Sequence, residues 1–117
     1  GEARRRYEAA LAIYPHIGAR LGEANVLAAL ARVELLEGRA GLAMSLLTRA
    51  LGFYESINHR YSIAVALYYI GFDLLRLDRR EDAAPLLLQS AELFEAIGLS
   101  QYAVQAQQMA GDAPTPA

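Results

Sequence analysis

The chain repeats itself at an offset of 40 positions, and this repeat constrains the fold more than any other sequence feature. Between positions 24 and 57, nine residues recur unchanged 40 positions later: Ala24, Leu27, Leu35, Arg39, Ala43, Leu46, Leu47, Glu55 and Ile57. The same register extends backwards, since Ala3 and Ala10 precede Ala43 and Ala50 by 40 positions. Self-similarity at a fixed period of this length indicates structural repeats that stack into one continuous core.

Each repeat contains two stripes of apolar residues with helical spacing. In residues 22–37, Val26, Leu27, Leu30 and Val33 recur at intervals of three and four, and residues 40–56 show the same pattern. No two-residue alternation is sustained and no Asn-Gly or Asp-Gly turn occurs, so strands are not expected. The pattern predicts six helices, at about 2–17, 21–37, 40–56, 60–77, 80–97 and 101–110. We therefore expect an all-α fold, an α-solenoid of antiparallel helix pairs.

The predicted helix ends also follow the repeat. Gly18, Asn58 and Gly98 share one position of it, and glycine and asparagine are the residues that enter the left-handed conformation of a helix C-cap most readily. Gly38 and Asp78 occupy the turn within each repeat. Asp78, with Glu81 three positions later, predicts a capping box at the start of the fifth helix.

Composition narrows the class of protein. The absence of cysteine excludes disulfides, thiolate metal sites and cysteine nucleophiles, and two histidines are too few for a multi-histidine metal site, so we expect no metal and no cofactor. A formal net charge of -2 argues against nucleic-acid binding. No apolar run approaches the ~18 residues of a membrane span, and no signal peptide is evident, so a cytoplasmic protein is expected.

Arg4, Arg5 and Arg6 predict a solvated helix face, on which they pair with Glu2 and Glu8.

The spacing of the small residues resembles the tetratricopeptide repeat. That family places small residues where its two helices approach closely, and the matching positions here are Ala31, Ala43, Ala50, Gly71, Ala83 and Ser90. The usual repeat is ~34 residues long, whereas the 40-residue form is similar to arrays in bacterial regulatory ATPases and animal polarity scaffolds. The resemblance implies one repeat domain over residues 1–110: a second helix at 1–18, repeats at 21–58 and 61–98, a terminal helix at 100–110, and a tail at 111–117.

A chain that begins with Gly1 in the second helix of a repeat is expected to be the C-terminal fragment of a larger bacterial protein. The alternative is a natural small protein with an N-terminal half-repeat. In either case the resemblance implies a scaffold or regulatory module, such as the sensing end of a bacterial signalling ATPase or transcription regulator.

The resemblance also implies that the first helices line a concave, partner-binding face. The residues carried over to that face are Asn25, Ala28, Arg32, Tyr68, Phe72, Arg76, Gln105 and Gln108, with Tyr69 beside them. A protein or peptide partner is therefore expected. The alternative is that Tyr68, Tyr69 and Phe72 only pack against the next repeat. The family's carboxylate clamp needs an asparagine where this chain has Ala29 and Tyr69, which argues against binding the acidic tails of chaperones.

Two other functions stay open at this point. The first helix carries an apolar strip, Tyr7, Leu11 and Tyr14, which predicts a homo-oligomer if that face lacks a partner. The concave face is also suited to a small ligand. Catalysis is not expected, because the serines and Thr48 lack a nucleophile elbow or phosphate loop, and neither His16 nor His59 has triad-like partners.

Overall fold

The structure is a computed structural model that describes residues 1–17 and 19–111, with side chains described except at residues 10–17. Within these residues all regular secondary structure is helical: α1 (Glu2–Ile17), α2 (Arg20–Leu36), α3 (Ala40–Ser56), α4 (Arg60–Arg76), α5 (Arg80–Ala96) and α6 (Ser100–Gly111). The predicted all-α fold is confirmed, and each helix ends within one residue of its expected bound. None of these helices has the length and apolar character to cross a bilayer.

One turn geometry recurs at regular intervals along the chain. Helices α2 to α6 begin at positions 20, 40, 60, 80 and 100, so consecutive helices from α2 onwards are separated by three residues. The middle residue of each three-residue turn has a positive φ: Gly38 at 89°, Asn58 at 56°, Asp78 at 59° and Gly98 at 83°. In the first of these, the Gly38 N–H donates to the Leu35 carbonyl (3.1 Å) and the Arg39 N–H to the Glu34 carbonyl (2.9 Å). The other three turns form the same two bonds, so each helix from α2 to α5 ends in a Schellman motif.

The predicted capping box at Asp78 is wrong. Asp78 adopts a left-handed conformation and terminates α4, while Arg79 is the N-cap of α5 and makes no side-chain capping bond. The turn needs a residue that tolerates positive φ at this position, and aspartate does so at moderate cost. The predicted C-caps Asn58 and Gly98 are confirmed, whereas Gly18 lies outside the described residues.

The chain folds as two compact units, Gly1–His59 and Arg60–Ala117, called here the N-terminal and C-terminal units. In the N-terminal unit α2 packs against both α1 and α3, and in the C-terminal unit α5 packs against both α4 and α6. The short turns reverse the chain direction, so neighbouring helices within each unit are antiparallel. Packed adjacent helix pairs are the arrangement expected of helical repeats.

The small residues that the spacing placed at helix contacts are buried. Ala31, Ala43, Ala50, Ala83 and Ser90 are all fully buried, and large side chains such as leucines fill the space around them. The Ser90 hydroxyl donates a 2.7 Å hydrogen bond to the Ala64 carbonyl, so this polar group on α5 is satisfied by the backbone of α4.

At Gly71 α4 lies in close contact with α5. A Cβ atom at Gly71 would lie 2.6 Å from Cγ and 2.7 Å from Cδ2 of Leu87. Leu87 is fully buried, so its side chain has little room to move away. The absence of a side chain at residue 71 therefore sets the distance between the two helices.

In the N-terminal unit an ion cluster fastens α1 to α2. The carboxylate of Glu34 is only 1% exposed and contacts the Nε atoms of both Arg4 and Arg39, and Glu37 contacts the same two arginines. Desolvation alone lowers the pKa of Arg4, but its contacts with Glu34 and Glu37 outweigh that effect and raise the pKa above its ordinary value. The predicted pair of Arg6 with Glu2 is present, with 2.9 Å between the Arg6 Nη2 and the Glu2 Oε1. Arg4 instead pairs with Glu34 and Glu37 and so connects α1 to α2.

We predict opposite effects for two Gly→Ala substitutions. Gly71→Ala should lower the free energy of unfolding by about 1–2 kcal/mol, because overpacking against Leu87 exceeds the gain in helix propensity. Gly52→Ala is the matched control: Gly52 also lies inside a helix, and a Cβ there meets nothing within 4 Å. It should raise the free energy of unfolding by about 0.5–1 kcal/mol. Urea denaturation measures the free energy of unfolding of both variants. An unchanged denaturation midpoint for Gly71→Ala would show that the contact between α4 and α5 has room for a Cβ atom at residue 71.

Candidate functional site

A cleft in the C-terminal unit brings together most of that unit's aromatic side chains. Its volume is about 290 Å³, and residues of α4 and α6 line it together with one residue of α5. The lining residues, called here the aromatic cleft, are Tyr61, Val65, Tyr68, Tyr69, Phe94, Tyr102 and Gln105.

Helical spacing accounts for the lining. Tyr61, Val65 and Tyr68 follow one another at intervals of four and three on α4, which places them on one helix face. Tyr102 and Gln105 are likewise three positions apart on α6. Below them, Ala64, Phe94 and Ala103 form one buried cluster with a residue from each helix of the unit. Because two of these three are alanines, their helices come close enough to share one cleft.

Phe94 holds the rings of the cleft in position. Its ring centroid lies 6.4 Å from that of Tyr61, 6.4 Å from that of Tyr68 and 5.4 Å from that of Tyr102. The first two pairs meet edge to face, at 69° and 75°, and Tyr68 meets Tyr69 at 86° with centroids 5.7 Å apart. Such pairs are favourable because the positive edge of one ring faces the negative face of another. The rings are therefore positioned before any partner arrives.

The outer tyrosines remain accessible. Tyr61 is 50% exposed, Tyr102 49% and Tyr69 44%, whereas Phe94 is 2% exposed. The lining residues include no charged side chain, and their polar groups are four tyrosine hydroxyls and the Gln105 amide. In the described part of the chain, no three histidine, aspartate or glutamate side chains are grouped closely enough to hold a metal ion. The cleft is therefore lined by aromatic rings and neutral hydrogen-bonding groups.

Some of the predicted C-terminal residues reach the cleft and others do not. Tyr68 and Gln105 line it, and so does Tyr69, which was expected beside them. Phe72 and Arg76 instead contact each other, with the Arg76 Cζ 5.7 Å from the Phe72 ring centroid. Gln108 is exposed on α6 and is not part of the lining.

The remaining predicted residues lie in the N-terminal unit. Asn25, Ala28 and Arg32 are on α2, and the Asn25 Oδ1 accepts a 2.6 Å hydrogen bond from the Tyr54 hydroxyl. Of the predicted self-association strip, Tyr7 is half-buried on α1. The side chains of Leu11 and Tyr14 fall outside the described residues.

Four lining residues were not predicted: Tyr61, Val65, Phe94 and Tyr102. The spacing of Tyr61 and Tyr68 was a usable signal, because two helical turns between them place both tyrosines on one face of a helix. The position 40 residues after Tyr61 is Gln101. Tyr102 is therefore one position out of register with Tyr61, and a comparison of repeat positions does not identify it. Phe94 matches Tyr54 in the repeat, and its contribution to a surface cleft has no sequence signal.

The Tyr54 hydroxyl bonded to Asn25 makes the stability pH-dependent. Tyr54 is 3% exposed, and its burial raises its pKa from 10.0 to about 12. The folded chain therefore keeps this proton at a pH where the unfolded chain has released it. The stability gained from the neutral hydroxyl is fully present below pH 10 and is lost as the pH rises through about 12.

We predict that Tyr54→Phe flattens this alkaline loss of stability. In the parent chain the free energy of unfolding should fall between pH 10 and about 12, and the fall should be smaller in Tyr54→Phe. Below pH 10 the same variant should be less stable by about 0.5–1.5 kcal/mol, because the hydrogen bond to Asn25 is lost. Tyr61→Phe, which removes a hydroxyl from a half-exposed ring, is the control. Parallel pH profiles for Tyr54→Phe and the parent chain would contradict the assignment.

Comparison of the chain with protein-family models, with curated proteins and with solved structures found no match.

Proposed function

We propose that the chain is a non-catalytic module that binds a protein or peptide partner, and that the aromatic cleft is its binding site. The observation that supports this most directly is the set of three half-exposed tyrosines, Tyr61, Tyr69 and Tyr102, around the buried ring of Phe94. Accessible tyrosines held in fixed orientations are the side chains that contribute most to binding at protein interfaces.

The free energy available from the cleft comes from desolvation. A partner side chain that enters it covers ring surface now exposed to water, at about 25 cal/mol per Å² of apolar area. Because Phe94 already orders three of the rings, little conformational entropy is lost on binding. The volume of about 290 Å³ lies at the lower end of the range for small-molecule pockets, and it suits one inserted side chain.

The position of the cleft agrees with the tetratricopeptide-like interpretation of the repeat. In that register α4 and α6 are the first helices of consecutive repeats. The resemblance implies that the first helices form the partner-binding face. On this basis we propose a scaffold or regulatory role, with the partner docking across α4 and α6.

Selection from a library of randomised dodecapeptides displayed on phage tests the proposal. Peptides enriched on the immobilised chain should bind Tyr102→Ser on the order of tenfold more weakly, because truncating a central aromatic contact typically costs more than about 1 kcal/mol. Leu88→Ser is the matched control, since Leu88 is 50% exposed on α5 and is not part of the lining. Circular dichroism verifies that both variants keep the helical signal.

Three outcomes would contradict this function. If the enriched peptides bind parent chain and Tyr102→Ser equally, the cleft is not the site. If no peptide is enriched and the mass in solution rises with concentration, self-association is the better account. Thermal stabilisation by a metabolite, lost in Tyr102→Ser, would instead favour a small-ligand sensor.

A further inference from the structure

We propose that the group recognised by the aromatic cleft is the guanidinium of an arginine side chain in the partner peptide. This inference rests on the proposed function and specifies its ligand chemistry. The inference rests on three features of the C-terminal unit: the aromatic rings of the cleft, the hydroxyl groups of its lining and the net charge of the unit.

The ring faces favour a cation. Five of the seven lining residues are aromatic, and the face of each ring carries partial negative charge that attracts a cation within about 6 Å of the centroid. The lining contains no arginine or histidine that would repel an incoming positive group. The surrounding unit is also negative, since residues 60–111 contain four arginines against six aspartates and glutamates.

The hydroxyl groups favour a cation that donates hydrogen bonds over an apolar side chain. The hydroxyls of Tyr61, Tyr68 and Tyr102 and the amide of Gln105 are polar groups of the lining, and a leucine or phenylalanine inserted among them would bury these groups without partners, which is costly. A guanidinium has five N–H donors for those hydroxyl and amide oxygens, whereas a quaternary ammonium has none. A lysine ammonium is more strongly hydrated, and no carboxylate in the lining compensates for removing its water.

The chain already uses the same contact internally. In the C-terminal unit Arg76 lies 5.7 Å from the ring centroid of Phe72, and in the N-terminal unit Arg20 lies 5.6 Å from that of Phe53. Both distances fall inside the range at which a guanidinium over a ring is favourable. A partner's arginine over the rings of the cleft would repeat this contact, with several rings in place of one.

The test uses four synthetic peptides that differ at one position. Each is acetyl-Ser-Gly-Xaa-Gly-Ser-amide, where Xaa is arginine, citrulline, trimethyllysine or leucine, and each is titrated into the full chain carrying 13C-labelled tyrosine rings. Citrulline is the decisive comparison because it has nearly the shape of arginine without the charge. The arginine peptide should shift the ring signals of Tyr61, Tyr68, Tyr69 and Tyr102 and bind roughly 3- to 30-fold more tightly than the citrulline peptide.

Substitutions at Tyr102 distinguish the contribution of its ring to binding from that of its hydroxyl. Tyr102→Phe keeps the ring and should retain most of the preference for arginine over citrulline, whereas Tyr102→Ser should reduce it. Leu88→Ser should leave it unchanged.

The possible failures are distinguishable. Equal binding of the arginine and citrulline peptides, or tightest binding of the leucine peptide, would overturn the cation assignment and leave the proposed peptide-binding site in place. Tighter binding of the trimethyllysine peptide than of the arginine peptide would overturn the guanidinium assignment. If no peptide shifts the cleft tyrosines, the inference is wrong, and the display selection decides separately whether the cleft binds peptides at all.

Discussion

The close approach of neighbouring helices at small residues is the constraint on which the rest of this structure depends. Ala43 and Ala50 in the N-terminal unit and Ala83 in the C-terminal unit are completely buried, and at Gly71 the contact excludes even a Cβ atom. A helix that approaches its neighbour this closely brings large side chains on both into contact, and their desolvation is the main favourable term. The recurring three-residue turns are compatible with this packing because each ends its helix with two backbone hydrogen bonds.

The aromatic cleft is a product of the same packing. Ala64 of α4 and Ala103 of α6 form one buried cluster with Phe94 of α5, and larger residues on α4 and α6 line the cleft. Phe94 is thus both a core residue and the base of a surface feature. Two of the tyrosines that contact it, Tyr61 and Tyr102, keep about half of their surface in contact with water.

The two units are related in sequence but carry different polar chemistry. In the N-terminal unit the buried Glu34 gathers Arg4 and Arg39, so its charges are used to attach α1. The C-terminal unit has no charged residue in its cleft lining and presents tyrosine rings and hydroxyls instead. The proposed binding site lies in the C-terminal unit because its tyrosine rings are partly exposed to solvent.

The sequence by itself determined the helices, the turns that end α3 and α5 and the burial of the small residues, because these follow from local spacing, from turn residues such as Asn58 and Gly98, and from a repeat that shows the same pattern in both units. It did not determine the role of Asp78, which ends α4 instead of capping α5. It also singled out Tyr68 and Gln105. Only the tertiary structure decided that Phe94, Tyr61 and Tyr102 share one cleft with them, and that Arg4 pairs with Glu34. These groupings join residues on different helices, and their distances depend on how closely the helices pack, which helical periodicity does not encode.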